Sequence, residues 1–170
     1  SGLAQSLGKI YESYRPLQTI SYMLDYKFWY YNPIGYHLTN CFLHVIVGLL
    51  VYWICRLLFD DWVISFVAAS IFTVLPVHTE AVAYISGRAD LLVSLFLILS
   101  FICYIKFKNK FQIGFFVICL FSFLLVLLSR ENAIVLPFII LIYSYVFKKK
   151  IAWKPFICLC ILAFIYIVSR

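Results

Sequence analysis

The sequence predicts an all-α fold: a polytopic transmembrane helix bundle of about six spans, preceded by an N-terminal amphipathic segment lying at the membrane interface. Three observations carry this. Of the 170 residues, 65% are hydrophobic and only 12% charged, where a soluble domain carries about 25% charged residues. Such a chain has too little polar surface to cover itself in water, so lipid must be part of its solvent. Apolar runs recur along the chain, each near the length a bilayer demands, with short polar connections between them. The basic residues crowd into alternate connections, as the positive-inside rule requires of a membrane protein.

Residues 1–35 are polar and aromatic. Tyr11, Tyr14, Tyr22, Tyr26, Phe28, Trp29, Tyr30 and Tyr31 form an aromatic belt of the kind found at a membrane surface. Leu17, Ile20, Met23 and Leu24 recur at helical spacing, which predicts a short amphipathic helix. Arg15-Pro16 breaks the chain before it, and Asn32-Pro33 with Gly35 after it. Residues 36–170 form the bundle. Its spans are predicted at 36–59, 62–77, 91–105, 111–128, 134–147 and 153–168. The third and fifth are short, and polar residues at their outer ends are expected to extend them. The acidic pair Asp60-Asp61 reads as the start signal of the second span.

Orientation follows from lysine and arginine. The connections after the first, third and fifth spans hold Arg56, Lys106, Lys108, Lys110, Lys148, Lys149, Lys150 and Lys154 against only Asp60 and Asp61. The opposite face is nearly balanced, with Lys9, Arg15, Lys27, Arg88, Arg130 and Arg170 against Glu12, Asp25, Glu80, Asp90 and Glu131. The lysine-rich side is therefore cytoplasmic, and segments 1–35, 76–90 and 129–133 share the other side. The net charge of +7 reads as topology, not as a nucleic-acid footprint. The six cysteines sit in or at the ends of apolar runs with no CxxC spacing, so they are small apolar helix residues, neither a disulfide framework nor a metal site.

The densest group of reactive side chains is the stretch 76–90, Pro-Val-His-Thr-Glu-Ala-Val-Ala-Tyr-Ile-Ser-Gly-Arg-Ala-Asp. Hydrocarbon would exclude it, at about 2.5–3.5 kcal/mol per charge, so it is a loop at the membrane face. On a helix Glu80, Tyr84 and Arg88 would share one face, and His78, Val82, Ser86 and Asp90 another. Two readings stand side by side. Arg88 pairs with a carboxylate and anchors the loop, or it belongs to a site for an anionic, lipid-linked substrate, because a guanidinium grips phosphate with two parallel hydrogen bonds. A carboxylate beside an imidazole, as in His78-x-Glu80, can hold a divalent cation that neutralises phosphate. His37, Asn40, Cys41 and His44 share a face of the first span. That stripe reads as inter-helix hydrogen bonding or, with Glu80 and Arg88, as a proton or ion path in a transporter or a non-catalytic membrane subunit.

Four stretches resemble the TMTC proteins, transmembrane and tetratricopeptide-repeat O-mannosyltransferases of the endoplasmic reticulum: Tyr14-Arg15-Pro16-Leu17; residues 33–40 with Leu43-His44; residues 76–92; and Ser129-Arg130-Glu131-Asn132 running on to Pro137. The resemblance spans nearly the whole chain in order. It implies the GT-C fold, a multi-pass endoplasmic-reticulum membrane protein, and transfer of mannose from dolichyl phosphate mannose to serine or threonine of lumenal acceptors such as cadherin-type domains. It implies Glu80 and His78 as catalytic residues. Arg15, Arg88, Tyr84, Arg130, Glu131 and His37 would serve the donor phosphate. Arg130-Glu131 stands where the family usually has Lys-Glu. Residues 1–35 would be the tail of the first lumenal loop. The early catalytic aspartate of that loop and the tetratricopeptide repeats have no counterpart in these 170 residues.

Overall fold

The computed structural model describes residues 16–78, 82–110, 112–129 and 135–169. They form seven α-helices, with no strand among the described residues: α1 (Pro16–Trp29), α2 (Pro33–Phe59), α3 (Trp62–Val74), α4 (Arg88–Lys110), α5 (Ile113–Leu127), α6 (Val135–Val146) and α7 (Trp153–Ser169). Two 3-10 turns, Pro76–His78 and Ile85–Gly87, lie between α3 and α4. The amphipathic segment becomes α1, and each of the six apolar runs becomes one helix.

Punctuation explains the boundaries. Pro16 and Pro33 open α1 and α2, and Pro137 and Pro155 lie in the first turns of α6 and α7. First-turn N–H groups have no intrahelical partner, so a residue without one costs nothing there. Pro76 instead follows the end of α3, where it cannot continue the helix. Asn32 caps α2, its side chain accepting from Ile34 N at 3.1 Å. Asp60 and Asp61 divide the next corner between them. Asp60 ends α2 in the left-handed region (φ 54), with its N–H on the Arg56 carbonyl. Asp61 caps α3 by accepting from Val63 N at 2.7 Å and Ile64 N at 3.1 Å.

Two helices are long and apolar enough to cross a membrane. α2 has 27 residues and extends about 40 Å at 1.5 Å per residue, and α4 extends about 35 Å, against a hydrocarbon core of about 30 Å. Helix α4 outgrew the predicted 91–105 at both ends, whereas α3 stops at Val74 and not at 77. The remaining apolar helices have 12 to 17 residues, below the usual crossing length. Large apolar side chains face outward, among them Leu38, Phe42, Val45, Leu49 and Trp53 on α2, three or four residues apart. A stripe of that kind fits a membrane protein whose solvent is lipid.

Helix α4 is the central one. Phe101, Tyr104 and Ile105 on it pack with Phe123 and Val126 of α5, Leu136, Ile140 and Tyr143 of α6, and Leu159 of α7. Ser100 Oγ donates to the Cys119 carbonyl at 2.8 Å and ties α4 to α5. The Tyr104 hydroxyl accepts from Ala152 N at 3.0 Å and fixes the turn into α7. Lys106 Nζ lies 4.1 Å from the centre of the Trp53 ring, a cation–π contact that joins the C-terminal part of α4 to that of α2. Helix α3 turns back along α2, and Gly48 permits their close approach: a Cβ there would lie 2.6 Å from Thr73 Cγ2. The opposite end of the bundle, built from α1, the start of α2 and the start of α4, holds the polar residues.

Candidate functional site

Helix α1 is amphipathic with an inverted sense. Ile20, Met23, Leu24 and Phe28 are exposed. Its polar stripe, Gln18, Ser21, Tyr22 and Asp25, spaced i, i+3, i+4, i+7, faces the protein, and Asp25 is buried. A helix lying at a lipid surface gains by this arrangement, because the apolar face is wetted by acyl chains and the polar face finds partners. Gly35 lets α2 start tight against α1, since a Cβ there would collide with the Trp29 ring. Tyr26, Tyr30 and Tyr31 make edge-on ring contacts at the rim. The hydrogen bond to Tyr31 is the main cause that pushes the Tyr26 phenol above its usual range.

At the centre of this end lies Arg88, fully buried at the first position of α4. A cation there opposes the helix dipole, and a buried charge without a partner would be costly. Both problems are met by Asp25, whose Oδ2 lies 2.5 Å from Arg88 Nη2. The guanidinium also donates from Nε to Asn40 Oδ1 at 2.8 Å, from Nη2 to the Tyr36 carbonyl at 3.1 Å and from Nη1 to the Ser21 carbonyl at 3.4 Å. The rings of Tyr22 and Tyr36 lie 4.8 and 5.8 Å from its central carbon. Thr39 Oγ1 donates to Asp25 Oδ1 at 3.1 Å. Each nitrogen of the guanidinium thus has a partner supplied by α1 or α2, while Asp25 Oδ2 is met by the ion pair alone.

The same side chains hold the segment entering α4. Asn40 Nδ2 donates to the Tyr84 carbonyl at 3.2 Å and the Val82 carbonyl at 3.5 Å. Tyr22 Oη donates to the Ile85 carbonyl at 2.6 Å. Gln18 Nε2 donates to the Ser86 carbonyl at 3.1 Å and to Tyr22 Oη at 2.7 Å. Tyr84 and Arg88 do not share one continuous helix, so the face that helical spacing would give them is not formed. Tyr84 is extended (φ −89, ψ 130), Ile85–Gly87 make a 3-10 turn, and α4 begins only at Arg88. Side-chain donors have taken the carbonyls that a continuous helix would have used itself.

Of the sequence-derived candidates, Arg88 is the buried hub of this cluster, partnered by Asp25 in the manner of the loop-anchoring reading. Tyr84 has an exposed side chain while its carbonyl is held by Asn40. His37 is exposed near the start of α2. His78 ends the 3-10 turn that follows α3. His44 lies lower on α2, stacked on Phe72 with Nε2 3.3 Å from the Thr73 carbonyl at the end of α3. Arg15, Glu80, Arg130 and Glu131 lie outside the described residues. Among the described residues no three His, Cys, Asp or Glu side chains gather to hold a metal ion, and Glu80, which the cation reading needs, is not one of them.

Comparison with known proteins places the chain. It is 34% identical over 160 residues to protein O-mannosyl-transferase TMTC3 of Mus musculus, covering 92% of this chain and 17% of that protein. It is 46% identical over 96 residues to protein O-mannosyl-transferase TMTC2 of Homo sapiens, 56% of this chain and 12% of that one. The chain belongs to the TMTC family of protein O-mannosyl-transferases. Protein O-mannosyl-transferase F38B6.6 of Caenorhabditis elegans is 36% identical over 138 residues, 78% of this chain and 19% of its own length. The chain thus spans less than a fifth of the length of these relatives. No family model matches it, and no solved structure does. The TMTC-like stretches 33–40 and 76–92 meet in space: Asn40 and Arg88, 48 residues apart in sequence, are in direct contact. Sequence reasoning placed Asn40 in an inter-helix stripe of α2 but missed Asp25, Thr39 and Tyr22 as its partners. The signal for Tyr22 and Asp25 was the polar stripe on α1, visible once the apolar face is assigned to lipid.

Proposed function

We propose that this chain is the donor-handling part of a protein O-mannosyltransferase of GT-C type in the endoplasmic-reticulum membrane. It takes mannose from dolichyl phosphate mannose and delivers it to serine or threonine of lumenal acceptor proteins, of which cadherin-type domains are one class. In this reading α2 to α7 are the six spans, the lysine-bearing ends face the cytoplasm, and the Arg88 end faces the lumen. The observation that carries it is the likeness to proteins named O-mannosyl-transferases across 92% of the chain. The gathering of two TMTC-like stretches at one polar end supports the location of the site.

The chemistry assigns roles. The bond from mannose C1 to the phosphate oxygen breaks, and its electron pair leaves with dolichyl phosphate. A bond from C1 to the acceptor hydroxyl oxygen forms, and the hydroxyl proton passes to a carboxylate. Glu80 and His78 are the catalytic residues proposed next to the donor. Arg15, Arg130, Glu131, His37 and Tyr84 are proposed to hold the departing phosphate. Arg88 is not counted with them, since a phosphate would have to displace Asp25 to reach it. The test is Glu80→Gln and Arg130→Ala in the full-length protein in cells lacking the natural copy, with O-mannose on acceptor proteins read by mass spectrometry. Removal of an acid–base or charge-stabilising group is expected to slow transfer about 100-fold or more at equal abundance. Normal transfer by both folded variants would remove the reading.

A further inference from the structure

Among the described residues, Asp25 and Arg88 are the charged side chains that are buried, and they pair with each other. We propose that Asp25, Arg88, Asn40 and Tyr22 are positioning residues for mannosyl transfer. They fix the backbone of Val82 to Ser86 and so set where the preceding stretch, with His78 and Glu80, is presented to the donor. This rests on the mannosyltransferase reading.

The argument is a chain of dependencies. Asp25 neutralises Arg88 and allows it to sit buried at the N-terminus of α4. Arg88 Nε donates to Asn40 Oδ1, which fixes the orientation of that amide. With its oxygen engaged, Asn40 must direct Nδ2 at the carbonyls of Val82 and Tyr84, as it does. Tyr22, against the face of the guanidinium, places its hydroxyl on the Ile85 carbonyl. Gln18 orders that hydroxyl and takes the Ser86 carbonyl. Four carbonyls that a surface loop would give to water are instead held by side chains from α1 and α2. The interfacial helix, at the lipid surface, is thereby coupled to the loop that carries the proposed catalytic residues. A misplacement of about 1 Å in such a loop is enough to cost about 100-fold in rate.

The experiment uses the purified full-length protein with dolichyl phosphate mannose and a serine- or threonine-containing acceptor peptide. Asp25→Asn, Arg88→Gln, the double variant and Tyr22→Phe are compared for kcat, donor KM and Tm. The positioning role expects each single neutralisation to lower kcat about 100-fold. The double variant should recover most of that loss, because two amides can bond where one stranded charge cannot. Tyr22→Phe keeps the ring and the fold, and should lower kcat with little change in Tm. It decides the matter alone if the single neutralisations do not fold. A double variant as slow as Arg88→Gln with a raised donor KM would make Arg88 a direct phosphate ligand and overturn the proposal. Wild-type kcat in the folded fraction of all variants, with only Tm lowered, would overturn it too. A wild-type protein that transfers no mannose would remove the transferase reading itself, and this proposal with it.

Discussion

Arg88 shows how the meaning of a residue depends on what lies across the fold from it. In the sequence its neighbours by helical spacing are Tyr84 and Glu80, and a guanidinium near a carboxylate at a membrane face invites a phosphate. In the structure its carboxylate comes from Asp25, on another helix, and its remaining donors go to Asn40 and two carbonyls. Asn40, fully buried, is the hinge of this set, because it accepts from Arg88 and donates to the loop. Asn40→Ala is expected to leave the Arg88 Nε donor unpaired and to leave the Tyr84 carbonyl only its bond from Gly87 N. At about 1–3 kcal/mol per stranded group, this should appear as a clear fall in Tm of the purified protein. An unchanged Tm would mean that water replaces the amide and the site is wetter than described. The presence of a buried partner for Arg88 was readable in the sequence, since an arginine between two apolar runs must find one. The identity of that partner was not. Helical spacing looks along one element, and Asp25 reaches Arg88 only after α1 folds across α2.

At the scale of elements, the helices were legible because their causes are local. Apolar runs supplied the lengths, and prolines and the two aspartates supplied the ends. Asp61 gives the sharpest check. Asp61→Ala removes the acceptor for Val63 N and Ile64 N and should cost about 1 kcal/mol of stability, read as a lower melting temperature, while Asp61→Asn should cost little. Equal loss in both would show that charge, not the cap, matters. Gly35→Ala is expected to cost more, because the new methyl group meets the Trp29 ring and must push α1 away from α2. Increased protease cleavage within 16–32 would report that undocking. The segment entering α4 does not realise the helical face that its spacing would allow, for a physical reason. Its residues have helical spacing, but its carbonyls were claimed by Asn40, Tyr22 and Gln18, which no periodicity in 76–90 reveals.

For the whole molecule, charge asymmetry and family likeness point the same way. The lysines at the ends of α4 and α6 mark one side of the bundle, and the Arg88 cluster marks the other. With Asn-x-Thr sequons inserted one at a time near Gly87 and near Asn109 in the full-length protein, the account expects glycosylation near Gly87 and none near Asn109. The reverse pattern would place the Arg88 end in the cytoplasm, away from any lumenal acceptor. The proposed catalytic roles came only through resemblance to TMTC proteins. Arg15, Arg130 and Glu131 carry no spacing signature that sets them apart from loop charges, whereas the buried Asp25–Arg88–Asn40 cluster is defined by contacts.

The most direct test is donor choice by the purified full-length protein. A serine- or threonine-containing acceptor is incubated with dolichyl phosphate mannose in one reaction and with a nucleotide-linked mannose in another, and mannose on the acceptor is measured. The account predicts transfer from the lipid-linked donor alone, lost with Glu80→Gln. Transfer from the nucleotide sugar, or from neither donor by a folded protein, would contradict it.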